Sequence, residues 1–426
     1  MKILVKNGRV IDPSRAIDET LDIFIEKGKI SEIKPKIDKK ANKIIDASRL
    51  VIAPGFIDMH THLRDPGQEY KETIYTGSLA AAKGGFTTIL CMPNTDPVND
   101  NRGVTEYIIS EAKNKAVVNI FPVASISKKQ ESKELSEMAD LKDAGVIAFS
   151  DDGYSVKNSQ LMRCALDYSK PLDTLIIEHC EDKDLSKKGV MNEGYYSYLY
   201  GLKGIPNSSE EVIAARDIIL AEESETKIHI AHVSTKGSVN LIKQAKNKKI
   251  RVTAEVTPHH LLLDDSLLSN YDTNLKVNPP LRSKKDIQKL INGIKDGTID
   301  VFATDHAPHT FDDKDVEFDN APFGINGMET AVSLILDKFV NKNIISLKRF
   351  IEMFSTNPAN ILGLKNKGKI YEGADADLTI LNLSKEIIVD KNKFKSKSRN
   401  SPFHNWKLRG TVEKTIVKGK VVYSSR

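Results

Sequence analysis

From residue 54 onward, short apolar or β-branched runs alternate with longer stretches of helical period, which is the pattern of a parallel sheet built from strand–helix units. Eight runs fit strands: 56–62 (FIDMHTH), 87–94 (TTILCMPN), 117–125, 145–152, 174–180, 228–234, 250–258 and 300–309. Between them the spacing predicts helices over 70–83, ended by Gly84 and Gly85, over 208–223, opened by a capping box of Ser208 with Glu211, and over 327–340. Eight such units predict an α/β fold, a TIM (β/α)8 barrel over residues 54–364. The two ends read differently. Residues 1–53 and 365–426 carry hairpin-like strands with glycine turns, such as LVKNGRVID, IFIEKGKISEI, DLTILNLS and TIVKGKVVY. Neither end alone has enough strands to close a core, so the two together predict one small β-sandwich domain built from both termini. The polar stretch 310–326, after the last barrel strand, reads as a lid at the barrel mouth.

Composition narrows the function classes. The chain has 426 residues, 40% hydrophobic and 28% charged, an ordinary globular mix. Its 63 Lys and Arg against 58 Asp and Glu give +5 with no dominant basic block, and a pI of about 8.7 does not indicate a nucleic-acid partner. No run of about 18 apolar residues predicts a membrane span. The opening MKILVKNGRVIDPS alternates like a strand rather than a signal peptide. Cys91, Cys164 and Cys180 are odd in number and scattered, which fits a reducing cytoplasm.

His60 and His62 are the strongest chemical signal. In a strand, side chains at i and i+2 share a face, so the two imidazoles converge on one point; on a helix they would splay by about 200°. TIM-barrel sites gather at the C-terminal strand ends. The residues falling there are His60 and His62, Asp151 and Asp152, His179, His232, and Asp305 with His306. Imidazoles together with carboxylates suit zinc better than calcium or magnesium, and two ions sharing a bridging carboxylate are geometrically sensible. Asp151 competes with Asp152, and only parity separates them. His229, three before His232, is turned by parity to the other face and left out, while His259 and His404 read as structural or surface histidines. Zinc lowers the pKa of bound water to about 7, and a nearby Asp can move a proton to a leaving nitrogen, which describes amide hydrolysis or its reverse.

The ordered motifs GFIDMHTHLRDPGQ, GGFTTILCMPNT, FSDDG, EHCED, HVSTKGS, VNPPLR, ATDHAPH, APFGINGMET, FSTNPANILGL, ADLTILN and KSRNSPF run through essentially the whole chain. In them it resembles the amidohydrolase superfamily and, within it, the class I bacterial dihydroorotases. That resemblance implies reversible cyclisation of N-carbamoyl-L-aspartate to L-dihydroorotate in pyrimidine (UMP) biosynthesis. It implies His60 and His62 as ligands of one zinc, His179 and His232 of a second, Asp152 as the bridge, and Asp305 as a ligand and the catalytic base. Arg64, Asn94, Asn278 and His309 resemble the residues that hold substrate, with backbone groups of Phe323 and Gly324 closing over the ring. A dianionic substrate calls for such a guanidinium and neutral amides. Hydantoinases, dihydropyrimidinases and allantoinases resemble this barrel but bridge their zincs with a carboxylated lysine, where this chain reads AFSDDG. Two zinc ions per subunit are expected, the second held less tightly by the shorter Asp.

The resemblance also implies self-association and a complex with aspartate transcarbamoylase. The alternating Lys391, Lys393, Lys395, Lys397 and Arg399, if a strand, would offer five charges on one docking face. The rival readings are a catalytically silent scaffold for that partner and another cyclic amidase. Cys180, next to His179, is a candidate inhibitory zinc ligand in an open state.

Overall fold

The computed structural model describes residues 2–425. All eight barrel strands form: β1 (Phe56–Thr61), β2 (Phe86–Cys91), β3 (Asn119–Ala124), β4 (Ala148–Phe149), β5 (Leu175–Glu178), β6 (Ile228–Ile230), β7 (Val252–Val256) and β8 (Val301–Phe302). They pair in sequential order, every pair parallel. The His62 N–H donates to the His306 carbonyl at 2.8 Å, and a parallel bridge joins Thr61 to His306, bringing the last unit back to the first.

The observed strands stop short of the predicted C-terminal limits, most of all β6 and β8. Arg64, His232 and Asp305 adopt positive φ (62°, 28° and 47°), a conformation no strand ladder accommodates. Non-glycine residues held there cluster where function over-determines the backbone. The N-terminal ends are closed by aromatic packing instead. The Phe354 ring lies 5.4 Å from that of Phe56, 5.9 Å from Phe86 and 5.0 Å from Phe302, all fully buried.

Helix boundaries shift for local reasons. The helix predicted over 70–83 runs Ile74–Gly84, because Thr73 and Thr76 form the capping box and Gly85 ends the helix at φ 92°. The helix predicted from Ser208 spans Asn207–Glu223 behind Pro206, so Ser208 lies inside it and the expected box is absent. Glu211 instead accepts the Gly237 N–H at 3.1 Å. The third helix is regular over Met328–Ile335 and continues as a wider π turn, Leu336–Val340.

The termini build one eight-stranded sheet, as the strand shortage at each end requires. Val51–Pro54 pairs in parallel with Lys2–Asp12 and antiparallel with Leu378–Ile388, so the seam between the termini lies where the chain enters the barrel. Gly55 makes that entry possible, since a Cβ there would collide with the Thr87 side chain. Ile3, Val5, Ile23, Ile52, Leu378 and Ile416 share the domain's own core.

Between Leu378–Ile388 and Lys407–Val417 the chain leaves this sheet, and Phe394 and Phe403 bury in a cluster with Phe318 and Ile325 of the barrel mouth. This corrects the expected basic strand. Lys391–Lys393 is a 3-10 turn, the Lys395 and Ser396 N–H groups bond Glu329, and the Arg399 guanidinium turns back onto its own Ser396 and Ser398 carbonyls. The five charges share no strand face.

Candidate active site

Each expected metal residue falls at or just beyond a C-terminal strand end: His60 and His62 from β1, Asp152 after β4, His179 after β5, His232 after β6 and Asp305 after β8. All six are buried. Asp152 is the hub. Its Oδ1 lies 3.2 Å from His60 Nε2, 3.4 Å from His179 Nδ1 and 3.3 Å from His232 Nε2, while Oδ2 is 3.5 Å from His62 Nε2. Asp305 Oδ1 is 3.1 Å from His62 Nε2 and 3.7 Å from His60 Nε2. His179 Nδ1 is 2.9 Å from His232 Nε2. Asp151 turns away and accepts from the Ser127 N–H and hydroxyl, at 3.0 and 2.5 Å.

The donor set fits cations. One group of ligand atoms from His60, Asp152 and His232 and another from His60, His62 and Asp305 each gather within 4.8 Å. His60 Nε2, shared by both, is buried with no hydrogen-bond partner among the described residues. Burial alone would raise the Asp152 carboxyl, but the surrounding imidazoles outweigh it and hold Asp152 well below the usual range. Burial and His62, His60 and His232 act on Asp305 in the same opposed way, with the same net lowering. Two ionised carboxylates converging on imidazole nitrogens suit a divalent ion, and neutral imidazole with carboxylate is a zinc donor set.

Three supporting residues escaped sequence reading. Glu255, mid-strand in β7, places Oε1 2.7 Å from His60 Nδ1 and Oε2 3.2 Å from His229 Nε2. His229 Nδ1 in turn meets Thr253 Oγ1 at 2.8 Å. His229 therefore faces the barrel interior beneath the site, against the parity expectation, because β6 ends at Ile230 and the positive φ of His232 breaks the alternation. His259 is buried, so of its structural and surface readings it takes the structural one. Glu181 holds His179 Nε2 at 3.1 Å and accepts from Asn278 Nδ2 at 2.9 Å. The available signal was a carboxylate inside an apolar strand for Glu255 and the i+2 spacing from His179 for Glu181. Cys180 points away, its Sγ 3.8 Å from the Glu178 carbonyl, and burial pushes its thiol up, so it offers no thiolate to the cluster.

Beside the cluster a cleft of about 460 Å³ has Arg64, Asn94, Asn278, His309, Phe323 and Gly324 on its walls. Arg64, buried, donates from Nε to the Pro308 carbonyl at 3.3 Å. Asn94 Oδ1 accepts from His62 Nδ1 at 2.8 Å, which leaves its NH2 half for a ligand. His309 Nε2 meets the Phe323 carbonyl at 2.8 Å while Nδ1 is buried without a hydrogen bond. Burial and the neighbouring Arg64 and Lys314 hold the His309 imidazole well below its usual pKa, hence neutral. Gly324 sits at φ 128°, where a Cβ would press to 2.6 Å on that of Ala307. The segment that crossed from the terminal sheet completes this wall. The Asn400 side chain accepts the His309 N–H at 3.3 Å and donates to the Gly324 carbonyl at 2.9 Å, and Ser398 Oγ donates to the His309 carbonyl at 2.5 Å. No local pattern marks those two residues as part of a barrel site.

Family models described as Dihydro-orotase-like and as Amidohydrolase family match residues 49–238 and 339–423. Curated proteins named Dihydroorotase from Syntrophus aciditrophicus and Acetivibrio thermocellus are each 51% identical over 99% of this chain, covering 99% and 98% of their own lengths. The chain belongs to the dihydroorotase family. It is thus an enzyme, a hydrolase acting on a cyclic amide, and relatives this similar favour neither the silent scaffold nor another cyclic amidase. This member of the dihydroorotase family shares its fold with solved cyclic amidases. An L-hydantoinase (dihydropyrimidinase) from Arthrobacter aurescens matches with a TM-score of 0.90 at 26% identity, covering 99% of this chain and 96% of that one. A dihydropyrimidinase from Brevibacillus agri matches at 0.86 and 24% identity, covering 100% and 95%. Among the described residues, no helix is long and apolar enough to cross a membrane.

Proposed function

We propose that the chain interconverts L-dihydroorotate and N-carbamoyl-L-aspartate with two zinc ions per subunit, one held by His60, His62 and Asp305, the other by His179 and His232, with Asp152 between them. The observation that carries this reading is the Asp152 carboxylate, whose oxygens lie 3.2 to 3.5 Å from nitrogens of His60, His62, His179 and His232, beside a cleft with a buried arginine. When bound, zinc makes a water acidic enough to attack at neutral pH and polarises the ring carbonyl.

The remaining work belongs to the side chains. Arg64 takes the ring carboxylate, a guanidinium being the planar donor that pairs with a carboxylate in two bonds. Asn94 and Asn278 address the neutral ureido edge, and Asn278 is aimed by its 2.9 Å bond to Glu181. Neutral His309, its Nε2–H committed to the Phe323 carbonyl, offers Nδ1 as an acceptor. Phe323 and Gly324 present backbone groups over the ring. Asp305, ionised at neutral pH, accepts the proton of the attacking water and delivers it to the departing ring nitrogen as the amide C–N bond opens. Ring closure runs the same proton backward. The reading extends to a cytoplasmic enzyme, in keeping with three free cysteines, and to self-association and a complex with aspartate transcarbamoylase, checked by sedimentation of the chain alone and with that partner.

Zinc content and dihydroorotate hydrolysis, measured together on wild type and Asp305→Ala, test the assignment. Turnover in the wild type that Asp305→Ala lowers by about 10²-fold or more, with zinc largely retained, supports a base role. Zinc-loaded wild type with no turnover of dihydroorotate sinks the proposal.

A further inference from the structure

The loop 310–326, which supplies Phe323 and Gly324, is fastened by two lysines that the chemistry above does not use. Lys276 is 2% exposed, and its Nζ donates to the carbonyls of Phe318 at 2.7 Å and Asp319 at 3.0 Å. The same amino group lies 4.8 Å from the centroid of the Phe323 ring, and the Lys276 carbonyl accepts the Gly324 N–H at 2.9 Å. Lys314, 7% exposed, donates to the carbonyls of Thr273 at 3.0 Å and Pro322 at 2.7 Å, while Thr273 Oγ1 donates to the Lys314 carbonyl at 2.6 Å. The loop is thereby stitched at residues 314, 318, 319 and 324 to the segment 273–276, which leads directly into Asn278, and Lys314 ties residue 322 back onto the loop itself.

Buried lysines are rare unless paired, yet among the described residues neither of these makes an ion pair. Each has two carbonyl partners instead. Burial lowers Lys276 to about 8 and Lys314 to about 7, and either protonation state of the amine supplies the two N–H groups that its carbonyl partners take. Such groups are costly to bury and their long side chains lose much rotamer freedom, a cost that a loop with no need of fixed geometry would avoid.

We propose that Lys276 and Lys314 are positioning residues that pin the 310–326 loop over the cleft before any ligand arrives, so that Phe323 and Gly324 are already in place for the substrate. This rests on the dihydroorotate reading above only for what the loop receives, not for the clamp itself. Ordering the loop in advance removes that entropy from the binding step, and its loss therefore falls on KM rather than on the chemical step.

The test uses hydrogen exchange and steady-state kinetics on the full-length, zinc-loaded chain. Peptides spanning 315–324 of the ligand-free wild type are expected to be protected already, gaining less than about twofold more protection with saturating dihydroorotate. Lys276→Met and Lys314→Met keep side-chain length and remove the donors. Each is expected to speed exchange in those peptides and raise KM for dihydroorotate by about tenfold, with kcat changed less than about threefold and zinc content unchanged. A ligand-free wild-type loop that exchanges like unstructured chain overturns the clamp, as do variants whose loop exchange and KM match the wild type, or whose kcat alone falls. If a variant fails to fold, the wild-type measurement still decides. Absence of dihydroorotate turnover would refute the proposed substrate while leaving the exchange of the free loop to judge the clamp.

Discussion

The Glu255 carboxylate reaches His60 Nδ1 at 2.7 Å, which commits Nδ1 to that bond and turns Nε2, without a hydrogen-bond partner among the described residues, toward the centre of the donor cluster. Despite burial, the charge of His60 and the bond from His229 hold Glu255 down at about 2, so it stays an anion beneath the site. A histidine oriented in this way is a better metal ligand, and losing such a partner typically weakens metal affinity by about 10–100-fold. Glu255→Gln keeps the shape and removes the charge. Its zinc affinity, from competition with a chelator, is expected to fall in that range; wild-type affinity would mean that the β1 backbone alone orients His60.

Asn400 ties two parts of the cleft wall together from outside the barrel, through the His309 N–H and the Gly324 carbonyl. Asn400→Ala leaves a buried carbonyl and N–H without that partner, a loss of about 1–3 kcal/mol. KM for dihydroorotate is expected to rise by about tenfold, with zinc content unchanged. An unchanged KM would show that Ser398 suffices.

Phe354 fills the N-terminal end of the barrel against Phe56, Phe86 and Phe302. Truncating a fully buried phenylalanine costs about 3–5 kcal/mol, from lost burial and the cavity left behind. Phe354→Ala is expected to lower the urea midpoint accordingly with little change in KM, since the site lies at the opposite end. A loss below about 1 kcal/mol would show that the surrounding rings collapse into the space.

Lys314 gives stability a pH dependence of known sign. Burial lowers its pKa from 10.5 to about 7, and the nearby Lys276 and Arg64 add to this against Asp272 and Asp313. Between those values the unfolded chain binds a proton that the folded chain does not, so this group's contribution to stability rises with pH. The free-energy gap between wild type and Lys314→Met, from urea unfolding, is expected to move in favour of the wild type between about pH 7 and pH 10. A flat difference would mean that Lys314 is protonated in both states across that range.

Periodicity made the barrel readable, because a parallel strand buried on both faces must be a short apolar run and each return helix must be amphipathic. The ligands were readable for a related reason: polar residues at the ends of such runs have nowhere to go except the mouth of the barrel. What was misread fails on one physical point. Parity holds only while the ladder lasts, and at His232 and Asp305 the chain has left it with positive φ, which is how His229 was assigned to the wrong face and β6 and β8 were drawn too long.

The sequence by itself determined the eight-unit barrel, the need for both termini to complete a second sheet, and the residues that converge at the strand ends, since each follows from local hydrophobic period and residue chemistry. Only the tertiary structure decided that Asp152 rather than Asp151 enters the cluster, that Glu255 and Glu181 bond its histidines, and that Asn400, Ser398, Lys276 and Lys314 hold the segments carrying His309, Phe323 and Gly324 at the cleft. Those contacts join segments up to 195 residues apart for Glu255 and 91 for Asn400. No local pattern encodes them, because a hydrogen bond between distant segments exists only once packing has fixed where both of them lie.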